Sequence, residues 1–318
     1  MRMLTKAKLA LASRHLFDNW LTLLVRYALT MLGFNTRLTA RIGDCAFELS
    51  PVDFKDIVKR FSGGFIKSIE CVNGRLLVNG VEVDSISGML HNVETWARVL
   101  GWSYDTVNGF WYKGNAKFKH VHVSTIGIFY YEEYKPLNIN GRIVIDVGAF
   151  VGDSAVYFAL RGAGRVIAVE PHPSAFAEML GNIKLNNMEN VIIPINAGLA
   201  SKPGKICIEN VSVGGTGKTY HKPGDCPNAV PAVTLGELID RFSVNPSDAV
   251  LKMDCEGCEF DIILNDYDHV RLFRELILEY HANVVNKTVN DLLKVLSRDY
   301  KCDVRGSKVF GVMHCIRR

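Results

Sequence analysis

The run VIDVGAFVG at residues 144–152 limits the possible fold more than any other part of the chain. Its first half, apolar except for Asp146, reads as a strand buried on both faces. Its two glycines let the backbone turn sharply into a helix where a β-carbon would clash. A strand covered on both sides needs helices above and below it, so the motif predicts an open, largely parallel α/β sheet. The following residues keep up the alternation: DSAVYFALRGAG reads as helix, RVIAVE as strand, PHPSAFAEMLGNIKLNN as helix with Pro173 in its first turn, and NVIIPINAG as strand. A hairpin-like stretch at 205–209 precedes a long Gly/Pro-rich loop, after which Thr234 and Glu237 form a capping box. DAVLKMD and RELILEYH supply two more strands and TVNDLLKVLSRD a helix. YKCDVRG and SKVFGVMHCIRR close the pattern as short strands.

The alternation begins near Asn138, so the chain divides into an N-terminal helical and β accessory region, 1–137, and an α/β domain, 138–318. The accessory region carries Asn73-Gly74 and Asn79-Gly80, both hairpin-turn signals, with helices expected around 52–61 and 93–100. His91, His120 and His122 have no ligand-like spacing and read as structural residues. Within residues 16–34, the run 20–34 is strongly apolar but interrupted by Arg26, and Asn19, Thr22, Arg26 and Thr30 fall at helical spacing as one narrow polar stripe. That run is shorter than a spanning helix needs, and LALA is short for a signal-peptide core. The expectation is a cytoplasmic protein whose N-terminal helix packs on the chain, with peripheral membrane contact as the alternative. A formal charge of +4 is too weak to argue for nucleic acid. The eight cysteines form no dense framework, so reduced, buried thiols are expected.

Gly148 and Gly152 open a helix directly after the first strand, and Glu170-Pro171 stands at the tip of the second. A carboxylate there can accept hydrogen bonds from both ribose hydroxyls of a nucleoside. A dinucleotide would set its pyrophosphate on the helix N-terminus, where Asp146 would oppose it. An acid beside the glycine turn better suits a cofactor with no phosphates, an amino-acid end and a sulfonium cation, namely S-adenosylmethionine.

DVGAFVGDS, VIAVEPHP, NIKLNN, TLGELID and LKMDCEGCEFDIIL occur in the order found in FkbM-type S-adenosylmethionine-dependent methyltransferases, which the chain resembles over residues 125–318. The resemblance implies a class I, Rossmann-like seven-strand sheet with its last strand antiparallel. It places Asp146, Gly148 and Gly152 around the cofactor's methionine end, with Asp153 beside them. Glu170, next to Pro171, becomes the ribose-binding acid, and Asn196 lines the adenine pocket. Lys252, Asp254, Glu256, Gly257 and Glu259 match the family's K-x-D-x-E-G-x-E signature. Phe150 departs from the pattern, standing where the family commonly has asparagine.

The fourth strand of such a sheet ends where a methyl donor meets its acceptor. Asp254 and Glu256 are therefore the leading candidates for accepting the acceptor's proton, followed by Glu259, which could instead cap the next helix. Glu279 and His281 follow at the fifth strand's tip, His281 having the better intrinsic pKa for a base. These oxygens could also hold a divalent metal, which the sequence neither requires nor excludes. Cys255 and Cys258 lack the second ligand pair of a zinc site and read as small fillers. The expected function is O-methylation of a sugar, glycan or small-metabolite hydroxyl, the loop 214–231 shaping the acceptor pocket. The alternatives are nucleic-acid or protein methylation, or a membrane-associated protein with a vestigial site. Three carboxylates would repel a phosphate backbone, so no nucleic-acid partner is expected.

Overall fold

The computed structural model describes residues 6–208 and 226–318, and the chain divides into two compact units, Met1–Lys113 and Gly114–Arg318. Most of the 214–231 loop lies outside the described residues.

In the first unit, helices Lys6–Leu16 and Trp20–Met31 precede a hairpin of Leu38–Ile42 and Cys45–Leu49. The helix Pro51–Ser62 starts where Ser50 accepts from the Asp53 N–H, and it buries Phe54, Ile57 and Val58. A three-stranded meander follows, with Asn73, Gly74, Asn79 and Gly80 all at positive φ in its turns. His91 meets the buried Asp53 at 3.0 Å, in keeping with a structural histidine. The polar stripe of the second helix turns toward the chain. Asn19 bonds Thr39 and Arg41, and Arg26 donates to the Arg37 carbonyl at 3.0 Å. Leu23 is fully buried, but Leu21 (60% exposed), Val25 (55%) and Leu32 (74%) are left in solvent. Among the described residues no helix is long and apolar enough to cross a membrane.

The second unit is built on seven strands: β1 (Ile143–Val147), β2 (Arg165–Val169), β3 (Ile192–Ile195), β4 (Ala249–Met253), β5 (Glu275–His281), β6 (Tyr300–Gly306) and β7 (Phe310–Arg317). Their order is β3-β2-β1-β4-β5-β7-β6, and β7 runs antiparallel to both neighbours. This is the expected Rossmann-like sheet. Its centre is buried on both faces because β1, β2, β4 and the Leu276–Leu278 stretch of β5 are mostly apolar, with Ile145, Ile167, Leu251 and Leu276 at 0% exposure. The chain order reverses between β1 and β4, the crevice where open α/β sheets bind ligands.

The second unit starts at Gly114, earlier than the alternation suggested. Asn182 on the helix Pro173–Leu185 and Asn186 at its C-cap clamp the strand Ala116–Phe118 through the Lys119 and Lys117 N–H groups, each at 2.9 Å. Ser124 and Thr125 then donate to Asp153. These side-chain bonds leave no trace in hydrophobic periodicity.

The cysteines also depart from expectation. All eight are paired, as Cys45–Cys71, Cys207–Cys226, Cys255–Cys258 and Cys302–Cys315. Cys302 and Cys315 are register partners across β6 and β7, a proximity that only the sheet creates.

Candidate active site

Two sharp loops meet at the carboxyl ends of β1 and β4. Gly148 has φ +74°, and a β-carbon on it would lie 1.7 Å from the Asp254 carbonyl oxygen, so only glycine lets the loops approach this closely. Asp254 N–H in turn donates to the Val147 carbonyl at 3.0 Å. Phe150 (φ 47°) and Glu256 (φ 55°) hold left-handed conformations, which cost free energy and persist only where the surroundings enforce them.

Behind the first loop, Asp146 and Lys252 are register partners and are both fully buried. Lys252 Nζ lies 2.9 Å from Asp146 Oδ1 and donates to the Gly148 carbonyl at 2.8 Å, while Ser154 donates to Asp146 Oδ2. Burial alone would lower the Lys252 pKa, but Asp146 and Asp254 outweigh it and raise it. Asp146 thus fixes the glycine turn from beneath. Asp153 is likewise buried under Ser124 and Thr125, and burial raises its pKa.

Glu170, 6% exposed, stands at the tip of β2 and accepts from the Phe150 N–H (2.8 Å) and the His172 N–H (2.7 Å), one on each oxygen. Each oxygen keeps a lone pair. Burial, opposed by those two bonds, pushes the Glu170 pKa up to about 7. Phe150 therefore contributes its backbone donor even though it lacks the amide of an asparagine. Asn196 spends its amide N–H groups on the Glu170 and Pro171 carbonyls, which ties the tips of β3 and β2 together.

The second loop is crowded with acids. Glu259, at 0% exposure, accepts from the Cys255 N–H (2.8 Å) and the Gly257 N–H (2.9 Å), so it caps the turn into the helix Cys258–Asn265. The Cys255–Cys258 disulfide closes the same turn around Glu256 and Gly257. His281 Nδ1 lies 3.5 Å from Glu259, and its Nε2 lies 3.8 Å from Glu256 and 3.9 Å from Glu279. Burial lowers the His281 pKa, but Glu259, Glu256 and Asp254 outweigh it and push it up to about 9. Burial and the Asp254 charge push Glu279 up to about 8. Burial also raises Asp254, reinforced by Glu259 and Asp146 and opposed by Lys252 and His281.

Glu133, which the motifs did not reveal, feels the same charges. Burial, then Asp254 and Asp153, pushes it up to about 7. Tyr134, fully buried beside it, places its ring 5.7 Å from Lys252 Nζ. The only sequence signal for this pair is YYEEYK, a polar interruption ahead of the first strand. A separate group forms where His120 Nδ1 (3.2 Å) and His122 Nε2 (3.1 Å) converge on Glu178 Oε1, so the two histidines share one carboxylate.

Comparison with known proteins agrees with this geometry. Residues 146–302 match the model of the methyltransferase FkbM domain. A hexuronic acid methyltransferase, AglP, of Haloferax volcanii is 27% identical over 151 residues, covering 48% of this chain and 61% of that protein. A tRNA(Phe) (4-demethylwyosine(37)-C(7)) aminocarboxypropyltransferase of Pyrococcus horikoshii is 25% identical over 171 residues, covering 50% and 60%. The chain thus spans about three fifths of the length of these curated relatives. A solved FkbM methyltransferase from Methylobacillus flagellatus superimposes with a TM-score of 0.42 at 14% identity, covering 61% of this chain and 48% of that one. Residues 146–302, with their glycine turn, Glu170 and the Lys252–Glu259 loop, are a methyltransferase domain of the FkbM family.

Proposed function

We propose that the protein transfers a methyl group from S-adenosylmethionine to a hydroxyl oxygen of a sugar, glycan or small metabolite. The observation that carries this reading is that Glu170 and the Asp254–Glu256–Glu279 group all stand at the carboxyl ends of neighbouring strands of one sheet. The residues fit the cofactor. Glu170 is buried, held by two backbone donors and still able to accept from two hydroxyls, as a ribose would require. The acids at the neighbouring strand tips offer the negative potential that a sulfonium and an ammonium favour. When bound, S-adenosylmethionine supplies an electrophilic methyl group on a cationic sulfur.

The chain's own residues then have distinct tasks. Glu170 orients the nucleoside, while Lys252 and Asp146 hold the Gly148 turn in place from the buried side. A carboxylate of the Asp254–Glu256–Glu279 group accepts a hydrogen bond from the acceptor hydroxyl and takes its proton as the oxygen is methylated. His281, in contact with Glu256, Glu259 and Glu279, balances their charge. The acidic surroundings favour a neutral hydroxyl over a phosphate-rich acceptor. Similarity to a hexuronic acid methyltransferase supports a saccharide.

The test is calorimetric titration with S-adenosylhomocysteine, followed by labelled-methyl transfer to a panel of sugars, glycans and nucleic acids. Failure of the folded protein to bind would leave only a vestigial site. Labelling of RNA or protein but no hydroxyl compound would replace the proposed acceptor.

Contact with an anionic lipid surface is a second reading, proposed for the N-terminal helices. One observation favours it: Leu21, Val25, Leu32 and Phe34 are exposed while the polar residues of that helix bond inward. Exposed Arg14 supplies complementary charge.

A further inference from the structure

We propose that Asp254, Glu259 and His281 form a binding site for one divalent first-row cation, best matched by Mn2+. The potential ligand atoms of these residues all lie within 4.8 Å of one another. Two carboxylates within reach of a buried imidazole would not by themselves define a metal site. The second observation is His281 itself. It is 6% exposed, and its Nδ1 is buried with no hydrogen-bond partner among the described residues, although it lies 3.5 Å from Glu259 Oε1. That separation is longer than a well-formed hydrogen bond. It is close to what two ligands about 2.1 Å from a shared cation adopt.

The surroundings already orient the ligands. Glu259 is fixed by the Cys255 and Gly257 N–H groups, which leaves one Oε1 lone pair for the space beside Nδ1. On the far side of the ring, Nε2 faces Glu256 at 3.8 Å and Glu279 at 3.9 Å. Carboxylates there hold a proton on Nε2, so a cation at Nδ1 would displace only the Nδ1 proton, the arrangement that supports a metal-bound histidine. Asp254, half-buried on the loop, completes three protein ligands and leaves coordination positions open. One nitrogen with two carboxylate oxygens falls between the preferences of magnesium and zinc, which favours manganese. The site does not depend on methyl transfer being the correct activity.

The test is titration of Mn2+ into the EDTA-treated full chain, read by loss of the free-ion EPR signal and by nitrogen modulation in the bound-ion spectrum. The expected result is nitrogen-coupled Mn2+, with one ion per chain lost, or bound at least tenfold more weakly, in His281→Asn and in Asp254→Asn. His122→Ala, which alters the group around Glu178, should retain that ion. Asp254 lies on a half-buried loop, so its variant keeps the test decisive if His281→Asn fails to fold. Absence of bound Mn2+, absence of nitrogen modulation, or full retention in Asp254→Asn would overturn the site.

Discussion

Lys252 and Asp146 face each other in register across β4 and β1, with Nζ 2.9 Å from Oδ1 and neither side chain reached by solvent beyond 1%. A single substitution here strands a buried charge. Lys252→Met should cost about 3–5 kcal/mol, read as a lowered denaturant midpoint. Adding Asp146→Asn should recover part of that loss, because it removes the uncompensated carboxylate. If the two effects simply add, the pair is not coupled as the geometry requires.

Glu170 sets a pH dependence for cofactor binding. Burial pushes its pKa up to about 7, opposed by the His172 and Phe150 N–H bonds and by Lys252, with Asp146 adding to the rise. A ribose hydroxyl donates best to the ionised carboxylate. Affinity for S-adenosylhomocysteine should therefore rise as pH increases from 6 toward 8 and then level off. In stability the sign is opposite: a raised carboxyl pKa contributes stability at low pH that is lost as pH climbs from the unfolded value through about 7. Glu170→Gln should weaken binding at least tenfold at pH 8 and flatten the profile. An unchanged profile in calorimetry would remove Glu170 from the site.

What the sequence revealed and what it hid follow one physical division. The VIDVG strand, the Gly148 turn and Glu170-Pro171 are local signals, since apolar runs and turn residues report on their own backbone. So is the seven-strand alternation, which led to the observed sheet. Long-range pairing was invisible. Nothing around Cys302 predicts that β6 will set it opposite Cys315, and nothing around Glu133 predicts the charges of Asp254 and Asp153. The local motif gave no sign that the register of β1 with β4 would set Lys252 against Asp146. His281 looked like a neutral base because its isolated pKa suits one, and only the assembled ring of acids shows why it holds its proton.

Asp254 and Glu256 should matter to turnover more than to cofactor affinity. Asp254→Asn and Glu256→Ala are each expected to lower kcat roughly 100-fold or more, the scale of a lost proton acceptor or positioning contact. S-adenosylhomocysteine affinity should change only a few-fold. Equal losses in both measurements would point to collapse of the loop rather than loss of chemistry.

The disulfides offer a direct chemical check. Denatured, unreduced protein should show no free thiol toward Ellman's reagent, and reduction should release eight. Cys255→Ser with Cys258→Ser removes the bond that closes the Glu256-Gly257 turn, a short loop worth about 2 kcal/mol in chain entropy. Turnover of that double variant should fall because Glu256 loses its enforced left-handed backbone. Wild-type turnover would return these cysteines to the role of small fillers.

The exposed stripe on the Trp20–Met31 helix makes the last prediction quantitative. Leu21 and Val25 lie one turn apart and are both more than half exposed, while Arg26 is held to the Arg37 carbonyl. Inserting each apolar side chain into a lipid interface gains about 1.5–3 kcal/mol if burial is complete, and exposed Arg14 adds attraction to anionic headgroups. In flotation assays the protein should rise with vesicles containing phosphatidylserine and less so at high salt. Leu21→Asp with Val25→Asp should leave it at the bottom of the gradient without altering its denaturant midpoint. Equal flotation of that variant, or no flotation of the parent chain, would mean that the stripe does not meet lipid.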